Sequence, residues 1–251
     1  MTDRLMGVDM LPRADAAPLL RDAPQASTST SAEAPSAPIQ KPLPTASRTR
    51  YVGAVDKAAA LAQLDEQQVR GCTKCPLHAH RIQTVFGQGH SDAPVMFVGE
   101  GPGQSEDEQG QPFVGKAGQM LDKWIAAMGL SREAVYIANA VKCRPPNNRT
   151  PAVEEVNACR AYLLQQIQIV EPKVIVTLGG PATKLLLQTS EGITRIRGRW
   201  HTFSQVDPPI PVMPTFHPAF LLRAYSQENR TKIWDDLQQV MQRLKAMETP
   251  S

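Results

Sequence analysis

Three polar side chains each lie at the end of an apolar run of the sequence, and one aromatic ring interrupts a polar run. The polar residues are Glu100, Asn139 and His217, and the ring is Phe113 in the stretch GQPFVG. Carboxylate and imidazole groups are common in acid–base catalysis. An amide matches the edge of a nucleobase that carries adjacent carbonyl and N–H groups, and an isolated ring can stack on such a base. Together these residue types favour a site that binds a nucleobase.

Each of these residues also has an ordinary structural interpretation. Asn139 could cap a turn at the end of a strand, Phe113 could fill the core, and His217 could be a structural histidine with satisfied hydrogen bonds. Any one of them alone favours that structural role. Their combination in loops at one edge of a sheet is what indicates a functional site.

A glycine-rich turn with two carboxylates follows the first apolar run. Gly101 and Pro102, in the sequence GEGPG, predict a tight turn in which a ligand approaches the backbone. No Lys-Ser or Lys-Thr pair follows the glycines, so the turn is not a nucleotide P-loop. Glu100 and Glu106 make the loop acidic, and a strand that ends in such a loop before a helix is where α/β proteins place their ligands.

Strands and helices alternate along the chain beyond residue 56. This alternation predicts an α/β fold with a parallel sheet and helices on both faces. The segment 193–203 is basic and could form a short hairpin, and Pro214 indicates that the last strand is an edge or a strand end. Hydrophobic periodicity and turn signals predict strands at 95–98, 135–141, 174–178 and 212–216, and helices at 56–71, 117–128, 152–170, 181–187 and 229–246.

The chain contains four cysteines, of which two form a C-x2-C pair. Cys72 and Cys75 are the pair, while Cys143 and Cys159 are separated by fifteen residues. Four thiolates can hold a tetrahedral zinc ion or a cubane iron–sulfur cluster. Structural zinc normally uses two close pairs, so this spacing favours a larger cluster. The alternative is that Cys159 is a buried small apolar residue inside the helix 152–170.

Composition separates the first fifty residues from the rest of the 251-residue chain. Residues 1–50 are rich in Ala, Pro, Ser and Thr without apolar periodicity, which predicts a disordered tail. The tail could carry a partner-binding peptide near residues 5–11. Residues 51–251 are expected to form one domain. The net charge of +3 is compatible with nucleic acid, and the lack of a long apolar run or secretory signal favours a cytoplasmic protein without a membrane span.

Three segments in combination resemble the family 4 uracil-DNA glycosylases. They are GEGPGQSEDEQGQPFVGKAGQMLD, NAVKCRPPNNRTP and HPAFLLR, and the cysteine order C-x2-C, C, C agrees with them. The resemblance covers nearly all of residues 70–245. It implies a three-layer α/β sandwich with a central four-stranded parallel sheet, and a 4Fe-4S cluster held by Cys72, Cys75, Cys143 and Cys159. It also implies a monomer that acts on uracil in single- or double-stranded DNA, in a bacterial cytoplasm at the nucleoid.

The same resemblance implies roles for the loop residues. Uracil would be flipped out of the stack, because its glycosidic bond is inaccessible inside DNA. Phe113 would stack on the flipped ring, Asn139 would read its O4 and N3–H, and the backbone of Gly101 and Pro102 would line the pocket. His217 would stabilise the charge that grows on uracil. Glu100 would hold the water or stabilise the sugar cation, with Glu106 as the second choice.

The residues after His217 are candidates for contact with DNA. Leu221 and Leu222 could wedge into the gap left by the flipped base, and Arg223 and Arg199 could contact the backbone. The alternative for both leucines is the first turn of a core-facing helix. Further candidates for phosphate contact are Lys142, Arg144, Arg149, Arg195 and Arg197.

Two other functions are alternatives to uracil excision. A covalent uracil-binding branch of the superfamily carries a nucleophilic histidine in an inserted loop after the second strand, whereas this chain has CRPPNNRTP there, without a histidine. A non-catalytic iron–sulfur DNA-binding module, associated with replication proteins through the tail, is the alternative from a different class. Such a binder has no need for Glu100, Asn139 and His217 in three converging loops.

Overall fold

The computed structural model describes residues 56–248. The predicted tail at 1–50 and its partner-binding peptide lie outside the described residues, so both stay predictions. In the described residues no helix is long and apolar enough to cross a membrane.

Six strands and eight α-helices make up the described part of the chain. The strands are β1 (Gln88–Gly89), β2 (Val95–Gly99), β3 (Tyr136–Asn139), β4 (Val174–Leu178), β5 (His201–Phe203) and β6 (Ile210–Thr215). The helices are α1 (Lys57–Leu64), α2 (Gln104–Gln109), α3 (Lys116–Ala127), α4 (Val153–Val170), α5 (Gly180–Leu187), α6 (Ile193–Ile196), α7 (Pro218–Arg223) and α8 (Gln227–Glu248).

The strands form one sheet in the order β1-β3-β2-β4-β6-β5. Its four central strands are parallel and are the four that the sequence predicts, whereas β1 and β5 are short antiparallel edges. The sheet is therefore mixed and six-stranded, around the expected parallel core. The chain runs from β2 to β3 on one side and then crosses to β4 on the other, so the strand order reverses beside β2. Ligands of open α/β sheets bind at such a point, outside the carboxyl ends of the strands.

Helices cover both faces of this sheet. One apolar cluster joins Met96 and Val98 of β2 to buried residues of α1, α4 and α5. The alternate residues Val95 and Phe97 are equally buried but lie outside that cluster, as expected for the opposite face. Residues of α3 and α8 are also buried outside the cluster, and α8 packs on β6. Burial on both faces explains why the central strands are continuous apolar runs.

Two sequence predictions for this region need correction. The segment 193–203 is not a hairpin: it forms α6 and then β5, which pairs with β6 instead. Of the two alternatives for Pro214, the edge strand is wrong, since β6 lies between β4 and β5, and the strand end holds, since Pro214 is the last residue but one of β6. Pro214 also lies beyond the end of β5, where its carbonyl accepts from Gly198 N at 3.1 Å. Proline has no backbone N–H to donate, and at this position β5 no longer lies opposite to accept one, so no hydrogen bond of the sheet is lost.

Candidate active site

The loops that follow the four parallel strands surround one pocket of about 620 Å³. It opens at the carboxyl ends of β2 and β4, where the strand order reverses. Nine of the residues singled out from the sequence for catalysis, uracil or DNA contact line it: Glu100, Gly101, Pro102, Glu106, Phe113, Asn139, Arg149, His217 and Arg223. The pocket also includes Thr150, Gly179, Gly180 and Phe220, which sequence patterns did not single out.

Asn139 is the last residue of β3 and its side chain is 1% exposed. Its Oδ1 is buried without a hydrogen-bond partner among the described residues. Buried polar atoms are almost always paired, so an unpaired one at a pocket wall indicates a group reserved for a ligand. Gly99 makes room for this amide, because a Cβ there would lie 2.4 Å from Asn139 Oδ1 and 2.5 Å from Phe113 Cζ.

Phe113 is held in a left-handed backbone conformation, with φ of 54°. This conformation is strained for a bulky residue and persists only where its surroundings enforce it. Arg132 fixes the loop from one side by donating to the carbonyls of Pro112 and Phe113. The ring is 5% exposed, and its centroid lies 5.6 Å from that of His217. Phe113 therefore forms a rigid wall of the pocket beside the histidine.

Glu106 holds the same loop from the other side. Its Oε1 accepts from Val114 N and Gly115 N at 3.0 Å each, and its Oε2 accepts from Gly103 N at 3.0 Å. Because both carboxylate oxygens bind backbone N–H groups, Glu106 is poorly placed to act as a base. We therefore correct the second choice for catalysis: Glu106 positions the loop that carries Phe113.

His217 begins α7 and serves as its N-cap. Its Nδ1 accepts from Ala219 N at 3.1 Å, so the proton of the neutral ring must be on Nε2. Burial lowers the pKa of His217 to about 4, and the positive charge of Arg223 acts in the same direction. At neutral pH the imidazole is therefore uncharged, and it presents Nε2–H as a hydrogen-bond donor.

Glu100, directly after β2, is the carboxylate of the pocket that is not committed to a structural role. Burial raises the pKa of Glu100, and a hydrogen bond with the Thr150 side chain opposes part of that rise. Its backbone carbonyl accepts from Val141 N at 3.1 Å, which joins this loop to the end of β3. A carboxylate with a raised pKa at a pocket wall is suited to accept a proton near neutral pH. Sequence patterns did not single out Thr150, because the residue that it contacts, Glu100, lies fifty residues earlier in the chain. Its only sequence signal is its place in the loop before Pro151.

The candidates for DNA contact separate into core and surface residues. Leu221 is 1% exposed and belongs to the core, so it cannot wedge into DNA, whereas Leu222 is 44% exposed. Two other candidates are also excluded from phosphate contact by their surroundings: Lys142 is 1% exposed, and Arg197 is paired with the buried Asp236. Arg199 is exposed but is not a lining residue of the pocket.

The four cysteines lie around a second, small cavity, to which α4 also contributes Ala158 and Tyr162. They come from the segment after α1, the loop after β3, and α4 itself. Within residues 56–248, no three Cys, His, Asp or Glu side chains are close enough to hold one metal ion.

Hydrogen-bond donors surround the sulfurs. Cys72 Sγ accepts from Tyr162 Oη at 3.2 Å, Cys143 Sγ from Arg81 Nη1 at 3.1 Å, and Cys159 Sγ from Lys142 N at 3.3 Å. Such donors stabilise thiolate ligands and tune the clusters that they hold. Burial raises the pKa of Cys159 to about 11, and a bound metal would favour its thiolate form. The donor set therefore fits a thiolate-bound cluster.

Comparison with known proteins shows which family the chain resembles. The Uracil DNA glycosylase superfamily matches residues 86–238. The type-4 uracil-DNA glycosylase of Thermotoga maritima is 45% identical over 182 residues, which cover 71% of this chain and 92% of that protein. The type-4 uracil-DNA glycosylases of Saccharolobus solfataricus and Sulfurisphaera tokodaii are 43% and 42% identical over 182 and 180 residues; each match covers 70% of this chain, and 83% and 81% of the relatives.

The family match covers more than half of the chain, and the alignments cover at least four fifths of each of these relatives. The chain therefore belongs to the type-4 uracil-DNA glycosylases of the uracil DNA glycosylase superfamily.

Proposed function

We propose that this protein hydrolyses the N-glycosidic bond of uracil in DNA and so starts base excision repair. Family membership supports the reaction. The observation that carries the assignment of the pocket is the buried Oδ1 of Asn139, which faces it without a partner. A binding module without catalysis has no use for such a group beside a carboxylate and a neutral imidazole.

Uracil is recognised by its edge and by its face. After the base leaves the stack, Asn139 Oδ1 accepts from uracil N3–H, and the amide nitrogen donates to O4. Cytosine has an acceptor at N3 and a donor at C4, so it would leave both groups of the amide unpaired in a buried site. Each buried polar group left unpaired costs about 1–3 kcal/mol. The Phe113 ring stacks on the flipped base and excludes water from it.

Hydrolysis breaks the bond between N1 of uracil and C1′ of the sugar. The electron pair of that bond leaves with uracil, and its charge spreads to O2, where Nε2–H of His217 donates a hydrogen bond. The sugar acquires cationic character, and a water molecule adds to C1′. Glu100 holds this water and accepts its proton. Preorganised donors of the His217 kind usually contribute most to catalysis, because they need no rearrangement during the reaction.

The cysteine site is proposed to hold a 4Fe-4S cluster through Cys72, Cys75, Cys143 and Cys159. A bound cluster supplies structural cross-linking, since uracil hydrolysis transfers no electrons. The four ligands come from three separate segments, which are the one that follows α1, the loop after β3, and helix α4. Binding of a cluster would therefore fasten these three segments to one another.

DNA contact is proposed at the mouth of the pocket. Leu222 is exposed beside Arg223, which lines the pocket, so one residue can fill the space of the flipped base while the other binds a phosphate. Leu221, Lys142 and Arg197 are thereby removed from the predicted contacts, which leaves Leu222, Arg223, Arg144, Arg149, Arg195 and Arg199.

The reaction is tested on oligonucleotides that carry one uracil, thymine or cytosine at a fixed position, followed by alkali. Wild-type protein should cleave only at uracil. Asn139→Asp should excise cytosine measurably, because a carboxylate can accept from the cytosine amino group. Strict retention of uracil selectivity in that variant would remove Asn139 from base recognition.

The same assay separates catalysis from simple binding. Folded, cluster-loaded protein that binds the uracil oligonucleotide but leaves no alkali-labile site would support the non-catalytic DNA-binding module instead. Iron content and visible absorbance of each sample establish that the protein is loaded.

A further inference from the structure

Lys142 is a buried lysine that the proposed reaction does not use. Its side chain is 1% exposed, and its Nζ donates to the carbonyl of Asn139 at 2.9 Å and to Gln166 Oε1. Both acceptors are neutral, and among the described residues no carboxylate forms an ion pair with it. Lys142 also lines the cysteine cavity, where thiolates would stabilise its charge, but charge alone does not explain why Nζ donates to the carbonyl of Asn139.

The partner of Lys142 in α4 is itself fixed. Gln166 Nε2 donates to the carbonyl of Phe86 at 2.9 Å and to Tyr136 Oη at 3.1 Å. These two bonds orient the amide so that its Oε1 faces Lys142. The ammonium group is thus held at a defined position between α4 and the end of β3.

The short segment 139–143 joins the pocket to the cysteine site. Ala140 N donates to Gly99 O at 2.9 Å and Val141 N to Glu100 O at 3.1 Å, which tie the segment to the catalytic loop. One residue later, Lys142 N donates to Cys159 Sγ at 3.3 Å. Every residue from 140 to 142 is therefore fastened by its backbone, whereas Asn139 has its carbonyl held by the Lys142 side chain.

The amide of Asn139 depends on this support. Its Oδ1 has no partner until a ligand arrives, so that side-chain atom is not oriented by a protein hydrogen bond. The direction of the amide is then set by the backbone to which it is attached. A hydrogen bond to the carbonyl of the same residue is the contact that fixes this backbone from the side of α4.

We infer that Lys142 is a positioning residue for uracil recognition. The Lys142 side chain fixes the backbone carbonyl of Asn139 and links that residue to α4, the helix that carries Cys159. The inference rests on the proposed role of Asn139 in base reading. It assigns to Lys142 an effect on uracil binding and selectivity that acts through Asn139, and no direct contact with DNA.

The test is a double-mutant cycle between Lys142→Met and Asn139→Ala. Methionine keeps most of the apolar stem and removes the donor. The rate of uracil excision under single turnover and inhibition by free uracil are measured in four proteins. Lys142→Met should reduce excision and weaken free-uracil inhibition at least tenfold in the wild-type background. In the Asn139→Ala background it should change either quantity less than twofold.

The exposed Lys173 provides a matched control, since Lys173→Met removes the same charge from the surface. It should leave both quantities unchanged. Equal losses from Lys142→Met in both backgrounds would overturn the inference, because a general structural defect does not depend on Asn139. Wild-type behaviour of Lys142→Met would overturn it as well. Unchanged excision in Asn139→Ala alone would instead refute the base-reading proposal on which the inference rests.

A second variant decides the question if Lys142→Met does not fold or take up its cluster. Gln166→Leu removes the acceptor that orients Lys142 and leaves the ammonium group and Asn139 in place. A loss of free-uracil inhibition that disappears in the Asn139→Ala background supports positioning. An additive loss in the two backgrounds contradicts it.

Discussion

Neutral His217 and the carboxylate of Glu100 have pKa values displaced in opposite directions by burial in the same pocket. The pKa of His217 is lowered to about 4, which keeps it an uncharged donor, and that of Glu100 is raised, which makes it a better proton acceptor. Burial disfavours the charged form of each group, which is why the two shifts have opposite signs. The two side chains can therefore work together at neutral pH.

The pH dependence of excision should follow Glu100. A base must be deprotonated, so we expect the single-turnover rate to fall with decreasing pH through a value above the ordinary carboxyl pKa of 4.5. His217, with a pKa of about 4, stays neutral over that range and adds a further loss only below it. Glu100→Gln should lower the rate roughly 10²- to 10⁴-fold. It should also abolish the upper acid limb of the pH profile, which is the fall in rate that begins above the pKa of His217. An unchanged limb in this variant would assign it to another group.

Sequence patterns brought out the proposed catalytic and uracil-binding residues better than the residues that support them. Glu100, Asn139 and His217 follow apolar runs, so their convergence follows from the parallel sheet alone. The hydrogen bonds of Thr150 and Arg132, in contrast, join segments distant in sequence and leave no periodic signal. Leu221 and Leu222 are identical in type, and only the packing of α7 shows which of them faces the core.

At the scale of elements, the end of β2 and helix α2 together position Asn139 and the loop that carries Phe113. Gly99 allows Phe113 and Asn139 to approach the strand end, and α2 presents Glu106 to the backbone of the Phe113 loop. The four parallel strands were predictable from their apolar runs. Helix α2 was not, because QSEDEQ has no apolar face, and strands β1 and β5 are too short to show a pattern.

Gly99→Ala should disrupt the pocket more than the fold. The new methyl group would lie 2.4 Å from Asn139 Oδ1 and 2.5 Å from Phe113 Cζ, so both must move. We expect at least a tenfold loss of uracil excision and a decrease in unfolding free energy of about 1–3 kcal/mol, as in overpacked cores. Excision kinetics and denaturant unfolding measure these effects.

Gly192→Ala is the control for that substitution. A Cβ at Gly192 meets nothing within 4 Å, and its φ of −75° suits any residue. Both quantities should stay near wild type. Wild-type excision by Gly99→Ala would mean that the pocket tolerates displacement of Asn139 or Phe113.

At the scale of the whole molecule, the cysteine site and the pocket lie at the two ends of one short segment. Residues 139–143 carry Asn139 at one end and Cys143 at the other, and α4 contributes both Cys159 and the glutamine that orients Lys142. A structural cluster at this place would stabilise the pocket indirectly. The order of the cysteines in the sequence indicated four ligands, whereas their link to Asn139 required coordinates.

Loss of one cluster ligand should therefore affect both stability and excision. Cys159→Ser is expected to lower bound iron and visible absorbance and to reduce the melting temperature, because three chain segments lose a common anchor. Iron analysis, absorbance and thermal unfolding provide the measurements. A colourless, zinc-containing wild-type protein would contradict the cluster assignment.

The most direct test of the central claim is to measure free uracil and abasic sites released from uracil-containing DNA by the full, cluster-loaded chain. The proposed mechanism predicts one free uracil for each abasic site, with the strand intact until alkali is added and nothing released from cytosine or thymine. Strand cleavage without free uracil, or DNA binding without release of any base, would contradict it.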